Sequence, residues 1–132
     1  MYHPSLEKWE KKLKQLLDEL DDYLENTYGN KYSLHPARRT QGTTINKSHS
    51  GLFDIVSSFS AGKGSEFGRG YIVDIHMATL EKVPEKVKKE INHIVIERLR
   101  SALPEMFPGR NLKVNMDRNV IKIYGDLSLG EI

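Results

Sequence analysis

Two stretches of the chain repeat their apolar residues every three or four positions, which is the period of an amphipathic helix. The first runs from Leu6 to Tyr23 and lies between Pro4-Ser5 and Gly29-Asn30, residues that favour a helix start and a helix end. It predicts an N-terminal helix within residues 1–29. The second predicts a helix over 84–103, because Pro84 fits a first turn and Pro104 favours a stop.

Shorter stretches alternate apolar and polar residues, or are rich in β-branched residues, as strands are. Four strands are predicted: Leu52–Ser60, Tyr71–Leu80, Leu112–Met116 and Val120–Tyr124. A further short strand is expected around Tyr32 to Leu34.

Both pairs of strands are close enough in sequence to form antiparallel hairpins. The loop Ala61–Gly70 contains four glycines, and a turn centred on Ser65 would place Asp54 opposite His76. The second hairpin is expected to have its turn at residues 117–119. Its apolar pattern favours pairing Val114 with Ile121 and Leu112 with Ile123. This register places Lys113 and Lys122 together on the other, solvated face.

The order of elements is therefore helix, strand, strand, helix, strand, strand. It predicts an α+β two-layer sandwich, an antiparallel sheet of about four strands with two helices on one face. We expect one domain over residues 1–132, made of the N-terminal helix (1–29), a polar basic loop (30–50) and a β-β-α-β-β unit (51–132).

Composition narrows the function classes. With 38% hydrophobic and 29% charged residues and no apolar run of membrane-spanning length, the chain is not expected to be an integral membrane protein. The acidic first 28 residues do not resemble a secretory leader, so we expect a cytoplasmic protein. The chain has no cysteine, which excludes disulfides, thiolate catalysis and cysteine-ligated metals.

Charge is distributed unevenly along the chain. Residues 1–28 carry four lysines against seven carboxylates, whereas residues 29–70 carry six cationic residues against two carboxylates. The cationic part is also rich in glycine, which lets backbone amides approach an anion closely. We expect the loops on either side of the first strand to converge into one hollow that holds a phosphate-bearing or other anionic ligand. The candidate ligand-binding residues are Arg38, Arg39, Gly42, Thr43, Lys63, Gly64, Ser65 and Arg69.

Each cluster also has a purely structural interpretation. The glycine-rich loop would serve equally well as a flexible, charged hairpin turn, and one of the adjacent arginines could pair with a carboxylate of the first helix. Histidine suits acid–base chemistry near neutral pH, so His35 and His76, with Asp54 as an orienting group, are candidate catalytic residues. The histidines lack metal-site spacing, and no metal or cofactor is predicted.

Three functions remain open. The first is a binding module for a nucleotide or a nucleic-acid backbone. The second is a homodimeric assembly or regulatory protein, joined through a free sheet edge or through the first helix, whose apolar stripe also fits a heptad pattern. The third is a His/Asp acid–base hydrolase or phosphoryl-transfer enzyme.

Overall fold

The computed structural model of the protein describes residues 4–38, 50–62, 65 and 67–125, with side chains from residue 7 onward. Its elements are α1 (Pro4–Tyr28), β1 (Phe53–Ser60), β2 (Gly70–Met77), α2 (Glu85–Met106), β3 (Leu112–Asp117) and β4 (Val120–Gly125). The predicted α+β order of two helices and a four-stranded antiparallel sheet is confirmed. Helix α1 packs on β1 and helix α2 on β3, and the helices touch each other. Neither helix in this part of the chain is long and apolar enough to cross a membrane.

The sheet has the strand order β1-β2-β4-β3. β1 and β2 pair along their whole length, from Phe53 opposite Met77 to Ser60 opposite Gly70. The predicted register, with Asp54 opposite His76, is confirmed.

The register predicted for the second hairpin is wrong by two residues. Val114 lies opposite Ile123 and not Ile121, and Leu112 lies opposite Gly125. The reason is the turn, which needs only two residues because Asp117 pairs with Val120 and Arg118 adopts a positive φ of 60°. A slip of two keeps every side chain on its face, so the apolar pattern could not detect it.

Lys113 lies opposite Tyr124, and Lys122 lies opposite Asn115. Lys122 is fully buried, so the solvated lysine face that the sequence predicted is also wrong.

Three element boundaries differ from the predictions. Residues 32–34 form no strand: the Ser33 N–H donates to the Glu81 carboxylate, and the segment is tied to the β2–α2 connection. β2 ends at Met77. α2 continues through Pro104, which lies in the last turn and removes only one helical hydrogen bond there.

The core lies between the helices and one face of the sheet. The apolar stripe of α1 is buried in it, with Trp9, Leu13, Leu16, Leu20 and Leu24 all at most 5% exposed. This stripe packs within its own fold and is not available for a helix pair with a second copy.

The opposite face of the sheet, here called the open face, carries no helix in the described structure. It presents Asp54, Val56 and Ser58 from β1, and Asp74 and His76 from β2. The β1–β2 loop covers the end of the open face where Gly70 pairs with Tyr124. There Phe67 stacks on Tyr124 with 4.6 Å between ring centroids.

Candidate functional site

The start of β1 is held by a buried carboxylate from α1. Glu25 is 6% exposed and accepts hydrogen bonds from the backbone N–H groups of Leu52 (3.0 Å) and Phe53 (2.9 Å). The preceding residue, Gly51, has a φ of 77°, and a Cβ there would lie 2.3 Å from Glu25 Oε2. The backbone can therefore pass over the carboxylate only as glycine.

Arg38 holds the same segment from the other side. Its Nε donates to the Gly51 carbonyl (2.9 Å), and its Nη2 donates to the carbonyls of Ser50 (3.2 Å) and Phe53 (3.0 Å). Glu25 and Arg38 thus bind N–H groups and carbonyls at the start of β1, and we call these two residues the strand-start clamp. Arg38, predicted as a ligand-binding residue, has a structural role here.

Tyr28 supports the clamp from the end of α1. Its ring packs edge-on against Phe53, with centroids 6.3 Å apart, and its hydroxyl donates to the Glu90 carboxylate. Burial, followed by this hydrogen bond, raises the pKa of Tyr28 to about 12, so the phenol remains protonated when the protein is folded.

Beside the clamp lies a cleft of about 280 Å³ that brings two of the candidate histidines together. It is lined by His35, Ala37, Arg38, His76, Ala78 and Thr79, and we call it the two-histidine cleft. The His35 N–H donates to the Ala78 carbonyl (2.8 Å), which fixes the loop against the end of β2. Among the residues that the structure describes, no acidic side chain lines it.

The local hydrogen bonds select donors for this cleft. The Ala37 N–H donates to His35 Nδ1 at 3.0 Å, so Nδ1 is the acceptor and the neutral ring carries its proton on Nε2. Thr79 Oγ1 accepts the Glu81 N–H at 3.1 Å, which leaves the hydroxyl proton to be donated. Both side chains can therefore donate to an anion without any change of protonation.

Asp54 completes the predicted catalytic group at this end of the sheet. It lies directly across from His76 on the open face, where opposite side chains are neighbours. Asp54 is half-buried and His76 is exposed. The structure thus brings all three predicted catalytic residues, His35, Asp54 and His76, to one end of the β1–β2 hairpin.

A larger groove of about 470 Å³ adjoins the cleft and shares His76 and Thr79 with it. β4 pairs with β2 only over Gly70–Val73, so the second half of β2 has no neighbouring strand on that side in the described structure. The groove occupies this gap beneath the first turns of α2. Its apolar lining residues include Val73, Ile75, Met77, Ile91, Val120 and Ile121. Its charged lining residues are of both signs, Glu81, Lys82, Glu85 and Lys88.

The glycine-rich loop lies at the other end of the hairpin, where Ser65 has structural partners. Its hydroxyl donates to Asp117 Oδ2 (2.6 Å) and accepts from the Phe67 N–H (3.1 Å) and from Lys122 Nζ (3.0 Å). The Lys122 ammonium also donates to the Gly68 carbonyl and lies 3.5 Å from the Asp117 carboxylate. This buried lysine fastens the loop to the sheet.

The structure therefore does not bring Arg38 and Arg69 of the predicted hollow together. Arg38 donates to the carbonyl of Phe53, the first residue of β1. Arg69 directly precedes Gly70, which pairs with Ser60, the last residue of β1. The seven residue steps between these ends correspond to about 24 Å of extended strand. Arg69 is exposed. Five other predicted ligand-binding residues lie outside the described residues: Arg39, Gly42, Thr43, Lys63 and Gly64.

Sequence reasoning missed Glu25, Lys122 and Thr79. Glu25 did carry a signal, because it directly follows Leu24 of the apolar stripe and lies three residues before Tyr28, on the buried side of the helix. No sequence pattern indicated that Lys122 is buried. Strand alternation assigns Lys122 to the open face, and only the loop above it makes that position buried. Among the described residues, no group of three or more His, Asp or Glu side chains could hold a metal ion.

Comparisons with known proteins identify relatives. The chain is similar to an "Uncharacterized protein" of Borreliella burgdorferi, with 41% identity over 107 residues that cover 81% of this chain and 84% of the relative. No solved structure matches the chain. A family model described as "Uncharacterised protein" matches residues 4–125, and the chain belongs to that family.

Proposed function

We propose that the protein is a binding module for a small anionic ligand, phosphate-bearing or carboxylate, whose charged group is held in the two-histidine cleft. The observation that carries this proposal is that His35, His76 and Arg38 line one cleft, and none of its described lining residues is acidic. The ligand-binding function expected from the sequence is kept, but its location moves to the end of the hairpin that carries the histidines.

The donors around the cleft suit an anion. His35 Nε2–H and the Thr79 hydroxyl each have a proton to donate, because His35 Nδ1 and Thr79 Oγ1 act as acceptors of backbone N–H groups. The charge of the Arg38 guanidinium lies beside them, although its Nε and Nη2 bond to carbonyls. Charged hydrogen bonds are the stronger ones, so a protonated His76 would add to the attraction.

The dimensions favour a small molecule over a nucleic acid. The cleft and the adjoining groove, about 280 and 470 Å³, lie near or within the range of about 300–1,000 Å³ found for small-molecule sites. A nucleic-acid backbone would need a continuous basic surface. Arg38 and Arg69, which were expected to provide one, lie at opposite ends of the hairpin.

The proposal is tested by calorimetric titration and thermal-shift measurements with phosphate, pyrophosphate, mononucleotides and small di- and tricarboxylates. We expect one of these classes to bind, and His35→Ala and His76→Ala each to weaken the binding at least tenfold. His93→Ala is the matched control, because His93 is an exposed histidine on α2 outside the cleft. If no anion binds, or if the three variants behave alike, the proposal fails.

A second function is favoured by the cross-strand neighbours Asp54 and His76. A carboxylate that orients an imidazole beside an anion site is the arrangement of general acid–base catalysis, as in hydrolysis of a phosphate ester. If the protein is such an enzyme, Asp54→Asn should lower the turnover number while ligand affinity stays near that of the wild type. Absence of turnover with the anions that bind would leave binding as the function.

A further inference from the structure

β1 lies at one edge of the sheet in the described part of the chain, and its second half is exposed. Four consecutive residues, Val56 to Phe59, are exposed, and the Phe59 side chain is 59% exposed although its position on the strand faces the helix layer. A large aromatic residue in water on an edge strand is unusual for a surface that stays bare.

The backbone of this edge has hydrogen-bonding groups that meet no partner among the described residues. The Ala78 N–H donates to the Leu52 carbonyl, so in the β1–β2 pair the even-numbered residues of β1 bond towards β2 and the odd-numbered ones point outward. The N–H and the carbonyl of Phe53, the first outward residue, already bond to the Glu25 and Arg38 side chains of the strand-start clamp. Ile55, Ser57 and Phe59 follow, and they meet no strand within the described part of the chain.

Nothing in β1 protects this edge from pairing. Edge strands are commonly protected by lysine, proline or a bulge, yet β1 has one charged residue, Asp54 at its start, and its eight pairs with β2 run without interruption. The edge is regular over the length that a second strand would need.

A groove of about 310 Å³ lies beside the edge, between β1 and α1. Its apolar lining comes from Leu17, Ile55, Val56, Phe59 and Tyr71, and Lys14 and Asp18 of α1 form an ion pair at its border. Its volume and apolar lining can accept an aromatic side chain that arrives along the strand edge.

We propose that β1 pairs with β1 of a second copy of this chain, antiparallel about a two-fold axis at Ser57, to form a continuous eight-stranded sheet. In that register the hydrogen bonds join only outward-pointing residues of the two strands. Ser57 lies opposite Ser57 of the second copy, and Ile55 lies opposite Phe59 of the second copy. Phe59 of each copy then enters the groove of the other and packs against Ile55 and Leu17. The edge is its own complement, and the symmetric pairing satisfies both the free backbone groups and the exposed ring.

The proposal is tested by sedimentation equilibrium over a hundredfold range of protein concentration. We expect the weight-average mass to rise towards that of a dimer, and Ser57→Pro to shift the dissociation constant at least tenfold towards monomer. Proline at an outward position removes only a free N–H, so the monomer should still fold. Ser57→Ala keeps this N–H and is the matched control, which should dimerise like the wild type.

Phe59→Ser should also give monomer, whereas Leu80→Ser, which removes an exposed apolar residue (75% exposed) away from β1, should not. Hydrogen exchange of the wild-type protein gives a readout that depends on no variant. The amides of Ile55, Ser57 and Phe59 should become protected as concentration rises, while those of Val56 and Ser58 are protected at every concentration. A monomer at the highest concentration, or a dimer that Ser57→Pro and Phe59→Ser leave intact, overturns the proposal.

Discussion

Replacing Glu25 with alanine removes the only acceptor that the structure gives to two buried backbone N–H groups. Each buried N–H left without a partner costs about 1–3 kcal/mol, so the loss of the bonds to Leu52 and Phe53 should lower the free energy of unfolding by about 2–6 kcal/mol. That is a large part of the roughly 5–15 kcal/mol that stabilises a typical domain.

The chain contains its own probe for this measurement. Trp9 is the only tryptophan and is 1% exposed, packed against Tyr71 and Phe107 at 5.4 and 4.4 Å between ring centroids. Its fluorescence should report unfolding in urea. For an m-value of about 2 kcal/mol/M, a loss of 4 kcal/mol moves the midpoint down by about 2 M. Glu25→Gln keeps one acceptor oxygen and should fall between the alanine variant and the wild type.

Glu19→Ala is the matched control, since Glu19 is an exposed carboxylate on the same helix. Its midpoint should stay near that of the wild type, because exposed substitutions usually change stability by less than about 0.5 kcal/mol. If Glu25→Ala costs less than about 1 kcal/mol, or no more than Glu19→Ala, then the carboxylate does not hold the strand start and the clamp argument is refuted.

Three further predictions concern the polar contacts of Lys122, Arg38 and Tyr28. Lys122→Met should lower the stability by about 3 kcal/mol and speed amide exchange around Ser65, because the loop loses the ammonium that fastens it, and unchanged exchange would contradict this role. Arg38→Lys should destabilise by about 1–3 kcal/mol in the same urea assay, since one ammonium cannot reproduce the fork that serves three carbonyls, and a wild-type midpoint would contradict it. The raised pKa of Tyr28 means that the unfolded chain loses its phenol proton near pH 10 and the folded chain only near pH 12. Stability from this group is therefore complete below pH 10 and lost as pH rises to 12, and Tyr28→Phe should show a smaller decline between pH 10 and 12.

The order and type of all six elements could be predicted because each depends on a local period. Both helices have a continuous apolar stripe, and the buried stripe of α1 is the one that the sequence shows. The β1–β2 register was also within reach, since a nearly symmetric loop fixes which residues oppose each other.

Features that depend on contacts distant in sequence could not be predicted. The Ser33–Arg38 segment reaches the end of β2 only because the Ser33 and His35 N–H groups find acceptors in Glu81 and Ala78, more than forty residues away. Without those bonds nothing places His35 beside His76. Lys122 is similar, because its burial depends on a loop more than fifty residues earlier in the chain.

The expected convergence of Arg38 and Arg69 failed for a different reason, because the predicted topology already argued against it. In an antiparallel hairpin, the residues before the first strand and the loop that joins the two strands lie at opposite ends, so a hairpin over Leu52–Leu80 separates Arg38 from Arg69 by the length of a strand. The same topology places the residues before β1 next to the end of β2 and the residues that follow it. His35 and Arg38 precede β1 and His76 lies near the end of β2, so the hairpin that separates Arg38 from Arg69 is also what assembles the two-histidine cleft. A charge count along the chain finds cationic segments, but only the strand directions decide which of them can bind the same ligand.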